Sequence, residues 1–426
     1  MDASSIASEH DVVIVGGSLA GCTAATLLGR QGLRVALVER QPDPAAFKRL
    51  CSHFIQASAV PALERGGLLE PIERAGALRP RTRAWTRWGW IEPPPDSSLP
   101  AGVNLRRERL DPLLRTIAAE TPGVTLLTGL TADRLVERDG AVAGVEARER
   151  GGRRYRLRAP LVIGADGRGS RTAELAGLLP QVRPHGRFVY GAYFEGPGPE
   201  TAPDGTIWFL DPRWAAAFPT DDGTTLYAFM APHRELPAFR RDPASALRAA
   251  IAGLPDAPPI AGARIVSPVL GKLDMPNLRR GPIAPGLALI GDAALAADPL
   301  MGVGCGWAFQ SAEWLADAVA PALRGEQELA PALHRYRRRH RRGLLPHDAL
   351  IRDQSSGRPL NAPERALFAA AAGDPRAARV FERVASRWSN PQRSLVAAVP
   401  TIAAGRIRRA AERARGRAAG RAGAIA

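Results

Sequence analysis

The sequence predicts an α/β chain: a parallel sheet covered by helices, an inserted antiparallel β-sheet domain and a C-terminal helical region. Three observations carry that expectation. Short apolar runs recur at residues 11–15, 33–38, 161–164 and 287–290 with helical patterns between them, as strands buried on both faces require. Residues 181–271 instead alternate apolar and polar positions between turn signals, as half-exposed antiparallel strands do. From residue 326 onward the pattern is helical and rich in arginine.

Taken in order, residues 1–10 read as a disordered leader without the basic flank of a secretory signal. Residues 11–15 form a strand, 19–31 a helix and 33–38 a second strand, a unit whose length predicts a right-handed crossover in a parallel sheet. Residues 57–65 are helical, and 79–99, rich in Arg, Trp and Pro, leave the first domain. Residues 110–120 return as a helix. Strands follow at 124–127, 135–137, 142–148 and 155–157, with Asp139-Gly140 as a hairpin turn. The strand at 287–290 leads into a loop and a helix from about 306 to 320. The domains expected are therefore a discontinuous first domain (1–78, 100–180 and 272–325), an inserted second domain (79–99 and 181–271) and a helical region over 326–426 with an Arg-rich tail.

Composition bounds the partners. The chain has 426 residues, 45% hydrophobic, with a formal net charge of +16. All but two of its 58 basic residues are arginine, the lysines being Lys48 and Lys272. The excess is spread along the chain and no nucleic-acid-binding module accompanies it, so no nucleic acid is expected as a partner. Three distant cysteines, Cys22, Cys51 and Cys305, give no disulfide framework and point to a reducing cytoplasm. No apolar run is long enough to span a membrane. The stretch from about Leu395 into Arg406, Arg408 and Arg409 reads as a solvated tail helix interrupted by Pro400, with a weak peripheral membrane contact as its alternative. No metal is expected, and the oligomeric state is left open.

Gly16-Gly17-Ser18-Leu19-Ala20-Gly21 follows the first strand and opens the first helix. Gly16 permits the tight turn, a small residue at 18 lets backbone N–H groups approach a pyrophosphate, and Gly21 allows close helix–strand packing. The helix N-terminus adds a partial positive charge. Glu39 closes the second strand, where a carboxylate can accept hydrogen bonds from ribose hydroxyls, and Arg40 stands beside it. This is a Rossmann-type dinucleotide site with one departure, serine for the middle glycine.

Two later segments decide which dinucleotide. One is Gly164-Ala165-Asp166-Gly167-Arg168-Gly169-Ser170-Arg171; the other begins Gly291-Asp292-Ala293-Ala294 and runs on through Asp298-Pro299 to Gly302-Val303-Gly304-Cys305-Gly306. Together with the N-terminal fingerprint, they resemble the three motifs of the FAD-dependent monooxygenase superfamily of the p-hydroxybenzoate hydroxylase type, an architecture shared by geranylgeranyl reductases and flavin-dependent halogenases. The resemblance covers roughly residues 11–325. It implies a Rossmann-like FAD-binding domain and makes the inserted sheet the substrate domain. It also implies that Asp292 binds the ribityl chain of FAD, that Asp166 lies near the pyrophosphate, that Arg107 contacts FAD and that Leu130 approaches the adenine. Gly302 and Gly304 would bring backbone close to the ring. Cys305, beside it, reads first as a small packed residue and alternatively as a group that tunes or attaches the flavin.

The stretch over residues 47–61 would pass beside the flavin ring. There His53, as a proton donor or a substrate contact, and Gln56 in a similar role are the catalytic candidates. Trp85, Trp88, Trp90, Tyr190, Tyr193, Trp208 and Trp214 are candidates for an aromatic pocket. Residues 214–219 (Trp-Ala-Ala-Ala-Phe-Pro) resemble a substrate-domain element of halogenases and reductases, with Ala216 where both show a second Trp. Residues 75–91, where the lysine of a halogenase would fall, contain none. The reading is thus an FAD-dependent oxidoreductase, a monooxygenase that hydroxylates or epoxidises an aromatic or polyketide-like small molecule through a peroxyflavin. Its electrons would come from NAD(P)H or from a separate flavin reductase. The alternative is a geranylgeranyl reductase-like double-bond reductase; a halogenase or a non-enzymatic flavin-binding module ranks below both.

Overall fold

The computed structural model describes residues 8–299, 302–397 and 399–400. They fall into two compact units, one drawn from Met1–Leu78, Gly102–His185 and Asp274–Ser355, the other from Arg79–Ala101, Gly186–Leu273 and Ser356–Ala426.

The first unit is built on a six-stranded sheet. Val12–Val15 lies inside it, parallel to Val35–Glu39 on one side and Val162–Gly164 on the other. Val124–Thr128 extends the first side and Leu287–Leu289 the second, with Ile283–Ala284 turned back antiparallel at the edge. Both faces of the central strand are buried because alternate residues serve different layers. Val12 and Ile14 pack with residues of three helices, Leu19–Gly29, Arg107–Glu120 and Val303–Leu323. Val13 and Val15 pack against a three-stranded antiparallel sheet of Leu130–Arg138, Ala141–Glu149 and Arg154–Arg158. The chain leaves Val12–Val15 toward one edge of the sheet and reaches Val162–Gly164 on the other, so the loop after Val15 lies at the switch point where open α/β sheets bind ligands.

In the second unit, Arg187–Glu195, Thr225–Pro232, Trp214–Pro219 and Gly205–Phe209 form consecutive antiparallel neighbours. Thr82–Thr86 joins Gly205–Phe209 in parallel and carries Gly89–Ile91 at the edge. Alternation decides the faces. Phe188, Tyr190, Phe194, Trp208, Tyr227 and Phe229 share one apolar cluster with Phe239, Leu247 and Ile251 of two covering helices, Leu236–Arg241 and Pro243–Ala252. Tyr193, Trp214, Ala216, Phe218 and Met230 alternate with these on their strands and turn to the other face.

Several expectations need correction. Glu9 bridges Arg158 and His10 is buried, so the leader does not extend to residue 10; residues 1–7 lie outside the described residues. The helices are longer than their patterns suggested, starting at Arg107 and Val303. The stretch from 326 is not one region: Leu329–Gln354 belongs to the first unit, Ala362–Ala371 and Pro375–Ala385 to the second. Tyr190 and Trp208 belong to the packed cluster of the sheet, and Trp85 and Trp90, partly buried, pack against it. Trp90 meets Trp208 edge-on with 6.1 Å between ring centroids. The Arg-rich tail at 401–426 lies outside the described residues. No described helix is long and apolar enough to cross a membrane.

Candidate dinucleotide site

The turn after Val15 can be made only by glycine. Gly16 has φ +109°, and a Cβ there would stand 2.5 Å from the Ala165 carbonyl oxygen. A Cβ on Gly21 would stand 1.8 Å from the Gly16 carbonyl oxygen, so the helix starts directly on the turn. Ala20 must be small for a related reason: its Cβ would lie 3.1 Å from one added to Gly291. This close packing brings the first and third motifs together.

Glu39 ends the neighbouring strand, and its buried carboxylate accepts from the N–H of Gly17 at 2.6 Å and of Gln41 at 2.8 Å. The two bonds fix the acid at the mouth of the turn and leave each oxygen a second lone pair for a hydroxyl donor. Arg40, one residue on, is exposed. Leu130 is buried with Val38 and opens Leu130–Arg138, directly after Val124–Thr128 ends.

Ser18 is the N-cap of Leu19–Gly29, yet its side chain caps nothing. Its hydroxyl accepts instead from Nη2 of Arg107 at 2.9 Å. Arg107 is itself buried, held by Asp111 through Nε at 2.8 Å and Nη2 at 2.7 Å. Desolvation works against its charge, but the neighbouring sulfurs of Cys305 and Cys51 and the Asp111 carboxylate raise its pKa overall. Two turns beyond Arg107, Arg115 donates from Nε to the Gly17 carbonyl at 2.9 Å and from Nη1 and Nη2 to the carbonyls of Pro44 and Ala46. The sequence reading singled out Arg107 alone. Arg107, Asp111 and Arg115 recur every four residues, and that spacing on one helix face was the signal for the whole group.

Asp166 divides its roles. Its backbone N would be 2.9 Å from a Cβ on Gly16, so it borders the turn. Its carboxylate is taken up locally, accepting from Ser170 Oγ at 2.5 Å, Thr172 N at 2.8 Å and Thr172 Oγ1 at 2.9 Å, at the start of Arg171–Leu175. Asp292 remains partly exposed, and one of its oxygens lies 3.8 Å from Lys48 Nζ. That ion pair raises the lysine's pKa against the cost of burial. Gly304 is open toward Asp292, whose Oδ1 would be 3.8 Å from an added Cβ. Gly302, with φ +62°, begins Val303–Leu323 with no side-chain cap, so a second helix N-terminus stands uncapped by a side chain.

His53 is buried, and its Nδ1 accepts from the N–H of Arg107 at 3.0 Å. The neutral ring therefore carries its proton on Nε2. His53 thus also ties the 47–61 stretch to the start of the Arg107 helix. Gln56 is buried with Nε2 3.4 Å from an added Cβ on Gly302. Cys305 is buried, and its Sγ lies 3.7 Å from Cys51 Sγ, a pairing that sequence reading missed because 254 residues separate the two. The loop that follows Asp292 is anchored by a buried contact, His185 Nε2 to Asp298 Oδ2 at 2.5 Å, which also went unread.

These residues fit a dinucleotide carrying a long polyhydroxyl chain: a glycine-only turn, two helix N-termini uncapped by side chains for anionic groups and two carboxylates for hydroxyls. Residues 9–209 match the family described as FAD binding domain. That match marks an FAD-binding domain in this chain. Among its relatives, it is 28% identical over 353 residues to the tryptophan 2-halogenase of Chondromyces crocatus, an alignment spanning 78% of this chain and 65% of that protein. It is also 28% identical over 352 residues to digeranylgeranylglycerophospholipid reductase 2 of Methanothermobacter thermautotrophicus, spanning 79% of this chain and 84% of that protein. The fold is shared with PqsL, a probable FAD-dependent monooxygenase from Pseudomonas aeruginosa, with a TM-score of 0.66 at 22% identity over 88% of this chain and 100% of that one.

Proposed function

We propose that this chain is an FAD-dependent monooxygenase that hydroxylates or epoxidises an aromatic or polyketide-like small molecule, with electrons from NAD(P)H or a separate flavin reductase. When bound, the flavin supplies electron transfer and, once reduced, reaction with dioxygen. The chain's residues do the rest. Gly16, Gly17, Ser18, Ala20 and Gly21 form the pyrophosphate turn, with the Asp166 backbone at its edge. Glu39 holds the ribose, with Arg40 and Leu130 flanking the adenosine end. Asp292 holds the ribityl hydroxyls, Gly302 and Gly304 admit the ring, and Arg107 sets Ser18. Cys305 serves as a packed neighbour of that loop. His53 and Gln56 present the polar groups nearest the reacting face, His53 with its proton on Nε2.

The observation that carries the oxygenase reading is Trp214. It is 6% exposed, on the sheet face opposite the packed aromatic cluster, and its Nε1 meets no acceptor among the described residues. A buried indole N–H left unpaired costs free energy that a substrate oxygen would recover. The lysines speak against halogenation: Lys48 faces Asp292, and Lys272 is exposed on Leu270–Lys272.

The test is turnover of aromatic and polyketide compounds with reductant under isotopically heavy dioxygen. Incorporation of one heavy oxygen atom into product supports the reading. A product that gains two hydrogens and no oxygen overturns it in favour of a double-bond reductase, the second reading, which is favoured by the alignment covering 84% of the archaeal reductase. Trp214→Phe is expected to raise KM roughly tenfold, with flavin content unchanged, as loss of one hydrogen bond implies.

A further inference from the structure

We propose that Cys51 and Cys305 form a peroxide-reactive dithiol, with Cys51 attacking and Cys305 resolving to an intramolecular disulfide. This goes beyond the function proposed above and does not depend on which reaction the flavin site performs.

The geometry comes first. The two sulfurs stand 3.7 Å apart, from opposite ends of the chain. Cys51 is partly exposed, whereas Cys305 is buried in the first turn of Val303–Leu323. The backbone N–H of His53 donates to Cys51 Sγ at 3.3 Å, and Nη1 of the buried Arg107 lies 3.9 Å from the same atom. His53 has φ +61°, a conformation uncommon for a non-glycine residue, and that turn folds its N–H back onto the sulfur. A structural thiol needs none of this. Cys22, with 0% exposure and desolvated to a raised pKa, is the inert contrast within the same chain.

The electrostatics agree with the geometry. A hydrogen bond from the Cys305 thiol holds Cys51 well below the usual thiol range, with Arg107 and Lys48 adding to it, while the same bond and burial push Cys305 up. One proton is shared by two sulfurs, and the balance favours the thiolate on Cys51. In the reaction, the Cys51 thiolate attacks one oxygen of hydrogen peroxide. The O–O bond breaks, hydroxide leaves and Cys51 carries S–OH; its sulfur has lost two electrons and the peroxide has gained them. Cys305 sulfur then attacks Cys51 sulfur and the S–O bond breaks. The Cys305 proton leaves with the departing hydroxyl as water, and the disulfide remains.

The test uses the full chain, both flavin-loaded and flavin-stripped, titrated with hydrogen peroxide, then denatured and alkylated for peptide mass spectrometry. Loss of two of the three thiols, with peptides linked through Cys51 and Cys305 and Cys22 still free, is the expected result, and dithiothreitol should restore all three. In Cys305→Ser the reaction should stop at a sulfenic acid on Cys51 that dimedone traps. Retention of three thiols at peroxide levels that oxidise glutathione overturns the proposal, as does over-oxidation of either cysteine without a link. Reaction of Cys305 in Cys51→Ser overturns the assignment of the attacking thiol. Because thiols are read directly, a negative result here is separate from any failure of the oxygenase reading.

Discussion

At the residue scale, the site depends on a few atoms with little room for exchange. Asp292→Ala is expected to abolish flavin retention, read as loss of visible absorbance, while the circular dichroism stays that of the wild type; unchanged flavin occupancy would remove Asp292 from its assigned role. Gly16→Ala is expected to lose both flavin and stability, by at least 1–3 kcal/mol in denaturant unfolding, since it forces a Cβ against the Ala165 carbonyl at a positive φ. The glycine turn and its contact with Glu39 were legible in sequence because the spacing within one strand–helix–strand unit places them. The Cys51–Cys305 pair and the His185–Asp298 contact were not, because each is made by tertiary approach of segments 113 to 254 residues apart.

At the scale of elements, the strands were legible and their ends were not. Runs such as 12–15 and 35–39 are buried on both faces and read without ambiguity. The helix at Arg107–Glu120 begins before its apolar pattern does, because its first turn spends Arg107 and Asp111 on the site rather than on the core. In the second unit, period-two alternation gave the strands, but it could not say which aromatic residues pack and which face outward. The helix Leu329–Gln354 holds a further consequence. His340 is 2% exposed, neither ring nitrogen has a partner among the described residues, and burial lowers its pKa to about 4 from 6.5. The folded state therefore excludes a proton that the unfolded chain takes up. Stability contributed by the neutral ring is complete above the unfolded pKa and is lost as pH falls from about 6.5 toward 4. The loss should be roughly 1–3 kcal/mol. His340→Leu is expected to flatten that part of the pH–stability curve; an unchanged slope would place the titrating group elsewhere.

At the scale of the whole molecule, cofactor and stability are linked. A ligand that binds only the folded chain raises its unfolding free energy by about 2.7 kcal/mol at a hundredfold excess over Kd. FAD is accordingly expected to raise Tm of the flavin-stripped wild type by several degrees and to leave Tm of Asp292→Ala unmoved, measured by calorimetry. A Tm shift of equal size in both would mean that the nucleotide half alone holds the cofactor. The fold class was readable at this scale because three motifs and two kinds of periodicity agree. The division of the C-terminal stretch between two units was not, since helical pattern alone does not say which surface a helix packs on.

The excess of arginine over lysine acquires a use in this setting. Arg30, Arg115, Arg168 and Arg280 spend their guanidinium N–H groups on the main-chain oxygens of Gly66, of Gly17 with Pro44 and Ala46, of Pro276 with Ala297, and of Ala293 with Arg168. Loops that other proteins brace with water are here tied down by forked cations that reach up to three main-chain oxygens at once. Lysine, with its single rotating head, could not stand in for that framework.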